Sequence, residues 1–295
     1  MALDQSPASD IIIDCLPHVK LFGTQKVTLF TSVSYSRRDE ISGTARQKWR
    51  DKLDEYAAKL SDATDMQVKT RVEFEMHAYA PQHILKGADN LGADYIIIAN
   101  RGHNKFRDIL LGSTVAELLQ RCNLPVYLIK LKADKVSDSN EHQLSSVASC
   151  QETLKHVLYP TDFSLTAQRA FECLCTFASE NVERITLYHV QAKGHVNLKN
   201  AALLEEFNRI DLERLRDLKE KLEDTSNADI DVALSQGSAT QHIVEKAKSV
   251  KATMIIMGSQ GRGYISDLFL GGVSYQVLRN TPVPVLIIPA RRDSG

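Results

Sequence analysis

The stretch Met254-Ile255-Ile256-Met257-Gly258-Ser259-Gln260-Gly261-Arg262-Gly263, completed by Gly271-Gly272 and by Pro284-Val285-Leu286-Ile287-Ile288-Pro289, decides the fold. Met254 to Met257 is an apolar run too short for a helix and suited to a strand buried on both faces. The glycines after it let backbone approach a ligand closely. Val273-Ser274-Tyr275-Gln276-Val277-Leu278 is helix-like and ends before Thr281-Pro282, and Pro284 to Pro289 reads as a second buried strand. Strand, glycine loop, helix start and strand in that order form an anion cradle from backbone N–H groups and a helix N-terminus.

Working outward, the stretch has a relative within its own chain. Gln82-His83-Ile84 recurs 159 residues on (241 − 82) as Gln241-His242-Ile243. At the same offset Ile96-Ile97 meets Ile255-Ile256, Gly102 meets Gly261, Asp108 meets Asp267, Leu111-Gly112 meets Leu270-Gly271, and Pro125-Val126 meets Pro284-Val285. Asp4 and Ser6 match Asp162 and Ser164 one residue out of step. The chain is therefore two copies of one unit of about 150 residues, a period too long for a solenoid.

The second copy displays the whole unit. His156 to Pro160 reads as a strand, Leu165 to Ser179 as a helix, Ile185 to Val190 as a strand, and Asn200 to Leu222 as an amphipathic helix covering the sheet. Ile230 to Leu234 is a third strand, and Ser238 is placed to cap a helix running to about Ser249. Strands alternating with helices predict a parallel sheet with helices on both faces. The first copy starts late: Met1-Ala2-Leu3 stands where a whole first strand is expected. An internal gap in a parallel sheet exposes unpaired backbone, which points to an upstream start or, alternatively, to a rearranged first domain. The expected organisation is domain 1 over 1–132, a polar linker over 133–152 without lasting periodicity, and domain 2 over 153–295.

The spacing Gly258, two residues, Gly261, nine residues, Gly271 resembles the G-2x-G-9x-G-[S/T] signature of the universal stress protein family. It differs from the Walker and dinucleotide glycine patterns. With the repeat, the resemblance covers nearly the whole chain as a tandem two-domain member. It implies two Rossmann-like α/β domains, each a five-stranded parallel sheet, that bind ATP, AMP or ADP, with or without Mg²⁺, in a stress-response or regulatory role. Carried over to this sequence, it implies that Asp162, after Pro160, holds the ribose and that Val190 and Met257 meet the adenine. Phosphates fall to Gly258, Gly261, Gly271, Gly272, Val273 and Ser274, with Arg262 in reach of a γ-phosphate. The closing position departs from the pattern, since Gly272 stands where a hydroxyl is expected, and Ser274 lies near. In the first copy the corresponding residues are Asp4, Val33, Ala99, Gly102, Gly112, Ser113 and Thr114; there the leading glycine is Ala99 and the closing serine is kept. The last strands, from Pro125 and from Pro284, would be sheet edges that need pairing. The family implies that they pair within the chain as a pseudo-dimer, and chains can associate further as a homodimer.

Composition narrows the rest. A formal net charge of −1 from 36 basic and 37 acidic residues gives no electrostatic reason for a nucleic-acid partner. No apolar run approaches the ~20 residues that span a bilayer. Cys15, Cys122, Cys150, Cys173 and Cys175 form no metal-ligand spacing and read as free thiols of a cytoplasmic protein. His83 and His242 repeat for structural reasons. No nucleophile elbow, catalytic triad or general base is evident, so hydrolysis is expected to be slow or absent. Two readings follow: a nucleotide-binding regulatory protein, occupied chiefly in domain 2, or an interaction module with altered sites that works through partner surfaces.

Overall fold

Burial explains the strands first. His156–Thr161, Met254–Gly258 and Val285–Ile288 are buried at every position, as parallel strands covered by helices on both faces are. The computed structural model describes residues 1–36, 41–100, 111–135, 142–146, 150–192, 201–261 and 270–290. Its contacts divide the chain into two units, Met1–Gln151 and Glu152–Gly295.

The first unit contains α1 (Pro7–Cys15), a 3₁₀ segment (Leu16–Phe22), β1 (Lys26–Tyr35), α2 (Gly43–Ala63), β2 (Gln67–Met76), α3 (Ala80–Leu91), β3 (Ile96–Ala99), α4 (Ser113–Arg121) and β4 (Val126–Ile129). β1 pairs in parallel with β2, and β3 with β4. Residues 1–3 sit between β1 and β3. The Met1 ammonium donates to the Thr28 carbonyl at 2.8 Å, Phe30 N–H to Met1 O at 2.8 Å, Leu3 N–H to Phe30 O at 2.9 Å, and Ala2 N–H to Ile97 O at 3.0 Å. Three residues thus pair both neighbours in the slot of the expected first strand. The rest of that slot is a cavity of about 460 Å³ lined by Phe22, Lys26, Thr28 and Tyr95 among others.

Two expectations for this unit are corrected. The polar stretch read as a linker contains an antiparallel hairpin, β5 (Leu131–Lys135) with β6 (His142–Ser146), Leu131 opposite Ser146. Its two five-residue strands are mostly polar, so periodicity gave no sign of it. Cys15 and Cys150 are not free thiols; they form a disulfide with Cα atoms 5.1 Å apart across 135 residues of sequence. Such a pairing is set by tertiary packing, which spacing does not encode.

The second unit runs β7 (His156–Thr161), α5 (Leu165–Asn181), β8 (Arg184–Gln191), α6 (Ala201–Glu223), β9 (Asp229–Gln236), α7 (Ala239–Ser249), β10 (Met254–Gly258), α8 (Gly272–Asn280) and β11 (Val285–Ile288). The five strands are parallel in the order β11-β10-β7-β8-β9. Right-handed crossovers put α5 and α6 on one face and α7 and α8 on the other. α5 starts at Ser164, whose hydroxyl accepts from Ala167 N–H at 3.2 Å. α7 starts after Ser238 as expected, but that side chain makes no cap.

α6 departs from its expected face. Leu215 and Leu222 are fully buried, whereas Leu203, Phe207 and Ile210 are exposed. Gln191, the last residue of β8, hydrogen-bonds Asp211. The helical turns before Asp211 therefore run past the end of the sheet, and their apolar side chains have no sheet beneath them.

Candidate functional site

Sheet alternation sorts the candidate residues at the carboxyl ends of β7, β8 and β10. The Tyr159 hydroxyl donates to Ala167 O of α5 at 2.6 Å, so Pro160, next along β7, faces the α7–α8 side. The Tyr188 ring lies 5.6 Å from the Lys246 ammonium of α7, so Val190, two residues on, shares that side. Gly258 abuts α5, so Met257 faces away from it. Pro160, Val190 and Met257 thus share one face at the carboxyl ends of neighbouring strands, an apolar surface of the kind a planar base packs on.

Asp162 sits beside this surface in a tight turn. Its Oδ1 accepts from Ser164 N–H at 3.0 Å, and the Thr161 hydroxyl accepts from Phe163 N–H at 3.0 Å. Phe163 is left-handed at φ 61, a strained conformation for an aromatic residue. The other carboxylate oxygen, Oδ2, lies where a side chain on Gly261 would stand, so Gly261 is glycine because Asp162 reaches the loop there. The first unit repeats the turn: Asp4 Oδ1 accepts from Ser6 N–H at 3.0 Å and from the Ser9 hydroxyl at 3.2 Å, with Gln5 at φ 54.

The glycines divide by role. A Cβ on Gly258 would come within 2.9 Å of the Thr166 carbonyl carbon and Cγ2 and 3.0 Å of Ala167 N, so this glycine accommodates the start of α5. Gly271 N–H donates to Ser259 O at 2.7 Å and sets the entry to α8. Gly272 begins that helix with nothing within 4 Å of a Cβ, and no side chain among the described residues caps the helix. The first N–H groups of an uncapped helix are open donors with a favourable dipole for an anion. Ser274 does not supply the hydroxyl missing at Gly272. It is buried and donates inward to Gly258 O at 2.9 Å. Val273 is exposed beside Gly272. Arg262 and Gly102 lie outside the described residues.

In the first unit Ala99 is buried in β3, and Gly112 N–H donates to Asn100 O at 2.9 Å as Gly271 does to Ser259 O. Ser113, exposed, and Thr114 start α4, which also lacks a side-chain cap. Val33 does not take the place of Val190. Ala2 bridges Phe30 as Pro160 pairs Tyr188, so Ser32 holds that register position and Val33 points to the other face.

Sequence reading missed a polar cluster behind Asp162. His189 of β8 is buried, with Nδ1 2.6 Å from Thr161 O and Nε2 3.5 Å from Asp211 Oδ2. Gln191 Nε2 donates to the same Asp211 oxygen at 2.7 Å, and the Arg214 guanidinium is 3.7 Å from the other. The signals were a histidine in an otherwise apolar strand and an acid between Ile210 and Leu212 on a helix. Cys173 and Cys175 are free, and burial pushes the Cys173 thiol up to about 11, away from thiolate chemistry at neutral pH. No group of three metal-binding side chains occurs among the described residues. No helix among them is long and apolar enough to cross a membrane.

The family whose profile matches is the universal stress protein family, over residues 21–130 and 153–289. A universal stress protein of Methanocaldococcus jannaschii is 29% identical over 158 residues, covering 47% of this chain and 97% of that protein. One from Mycobacterium bovis is 25% identical over 195 residues, covering 66% of this chain and 61% of its own length. The crystal structure of a universal stress protein from Archaeoglobus fulgidus aligns with TM-score 0.66 at 23% identity, covering 97% of this chain and 96% of that one, a likeness of fold.

Proposed function

This chain belongs to the universal stress protein family, and from that premise we propose that its second unit binds an adenine nucleotide, ATP or AMP, in a regulatory role with slow or no hydrolysis. One observation carries the reading: at the carboxyl ends of β7, β8 and β10, an apolar face, a carboxylate oxygen directed at the glycine loop and the start of α8 stand together. The base would lie against Pro160, Val190 and Met257, Asp162 would accept from the ribose hydroxyls, and the N–H groups from Gly272 onward would take the phosphates. These contacts bind and orient a nucleotide; any Mg²⁺ would come with it.

The experiment is to denature the purified protein, identify any released nucleotide, and titrate stripped protein with Mg-ATP and with AMP by calorimetry. About one nucleotide per chain, lost in Asp162→Ala, is the expected result for one working site. No release and no binding in excess would overturn the reading. The second reading, an interaction module, is favoured for the first unit by Ser32 in the place of Val190 and by Thr31 in the place of His189.

A further inference from the structure

We propose that His189 and Asp211 form a buried, proton-dependent clamp on the turn carrying Asp162, so that nucleotide affinity of the second unit falls as pH rises. The effect on affinity rests on the nucleotide reading; the clamp itself rests on geometry.

His189 lies directly across from Thr161 in the β7–β8 register. A backbone carbonyl only accepts, so Nδ1, 2.6 Å from Thr161 O, carries a hydrogen. An ionised carboxylate also only accepts, and Nε2 faces Asp211 Oδ2 at 3.5 Å. With an acceptor at each nitrogen, both contacts are favourable only for the imidazolium. The carboxylate is held in place for this. Gln191 Nε2 donates to it, Gln236 Nε2 donates to Gln191 Oε1 at 3.2 Å, and Gln236 also reaches Asn208 Oδ1 at 3.3 Å. Of the described residues, α6 brings Asp211 to the ring with Arg214 behind it, β9 pairs Leu234 beside it, and β7 brings the Thr161 carbonyl next to Asp162.

The clamp grips both sides of Asp162. Before it stands the Thr161 carbonyl. After it, the Phe163 ring lies 4.8 Å from the His189 ring, with the Arg214 guanidinium 4.7 Å from the Phe163 ring. Phe163 keeps its left-handed backbone only while its surroundings hold it. His189 and Asp211 are thus positioning residues for the carboxylate. The first unit lacks them. Thr31 takes the register place of His189, with its buried hydroxyl unpartnered among the described residues. Matching the buried leucines Leu53 and Leu60 to Leu215 and Leu222 puts Trp49 in the place of Asp211.

The test measures Mg-ATP affinity by calorimetry from about pH 6 to about pH 9, with wild type expected to weaken about threefold or more as the ring loses its proton. Asp211→Asn offers an amide N–H that a neutral His189 can accept, so its profile should be flat. His189→Asn keeps a donor near Thr161 O but not the reach to Asp211; it should also be flat, and weaker than wild type at the acid end. A flat wild-type profile, or an unchanged slope in Asp211→Asn, overturns the proposal. A nucleotide-free readout separates it from the binding reading: ¹⁵N-histidine spectra should show both His189 nitrogens protonated at about pH 6. If no nucleotide binds at any pH, the functional reading falls and these spectra alone decide the clamp. A singly protonated ring there would refute it.

Discussion

Gly272→Asp separates binding from folding because position 272 is open. A Cβ there meets nothing within 4 Å, and the residue is the first of an uncapped helix. An aspartate in the first turn favours the helix dipole by about 0.3–1 kcal/mol and removes the roughly 0.5–1 kcal/mol conformational cost of glycine. The same carboxylate opposes a phosphate. Unit charges about 4 Å apart repel by about 4 kcal/mol at an effective dielectric near 20, and screening at an exposed site leaves about 1–2 kcal/mol. That is on the order of a tenfold rise in Kd. Gly272→Ser has the opposite expectation, since a hydroxyl donating to a charged oxygen contributes about 1 kcal/mol, or roughly fivefold tighter binding. Urea unfolding and calorimetry with Mg-ATP together read the result: the Asp variant should be at least as stable as wild type and bind more weakly. Unchanged ATP affinity in Gly272→Asp would refute the phosphate assignment.

Burial, then the Arg184 charge, holds the His156 imidazole below its ordinary pKa, while Nε2 pairs with the Thr186 hydroxyl at 2.8 Å. The unfolded chain therefore takes up this proton first as pH falls. The stability contribution is full above about pH 6.5 and is lost below it, so melting temperatures of His156→Gln should decline less than wild type towards about pH 5. Gly258→Ala should destabilise the second unit by about 1–3 kcal/mol in urea, and Thr166→Ala should recover only part, because backbone atoms crowd the site as closely as Cγ2. Cys15→Ser should cost about 2–4 kcal/mol without reductant, and dithiothreitol should bring wild type down to the variant; a difference that persists in reductant would assign the loss to packing instead. Ala99→Gly should lower first-unit stability by about 0.5–1 kcal/mol and create no nucleotide binding, checked by urea unfolding and calorimetry.

The strands of the second unit were legible because parallel strands covered on both faces are short apolar runs, and β7, β10 and β11 are buried throughout. The β5–β6 hairpin and the Cys15–Cys150 bond were not, since neither leaves a periodic trace in sequence. Glycine spacing located the loop but did not reveal what each glycine is for. Gly258 and Ala99 make the point. Ala99 departs from the glycine pattern at its leading position, and at that position in the second unit the Cβ would meet Thr166 and Ala167 of α5. At the offset that matches Asp4 to Asp162, Ala8 stands in the place of Thr166 and is itself buried. By repeat register, the glycine and threonine that meet in the second unit are replaced by alanine and alanine in the sequence of the first. Compensating volume is what close packing demands wherever a helix crosses a strand end, with or without a ligand. Ala99 is therefore no evidence that the first site is closed. What distinguishes the units lies on the next strand and the helix after it, where His189, Val190 and Asp211 answer to Thr31, Ser32 and Trp49, residues that carry no motif and become comparable only through strand register and the buried leucines of the helix.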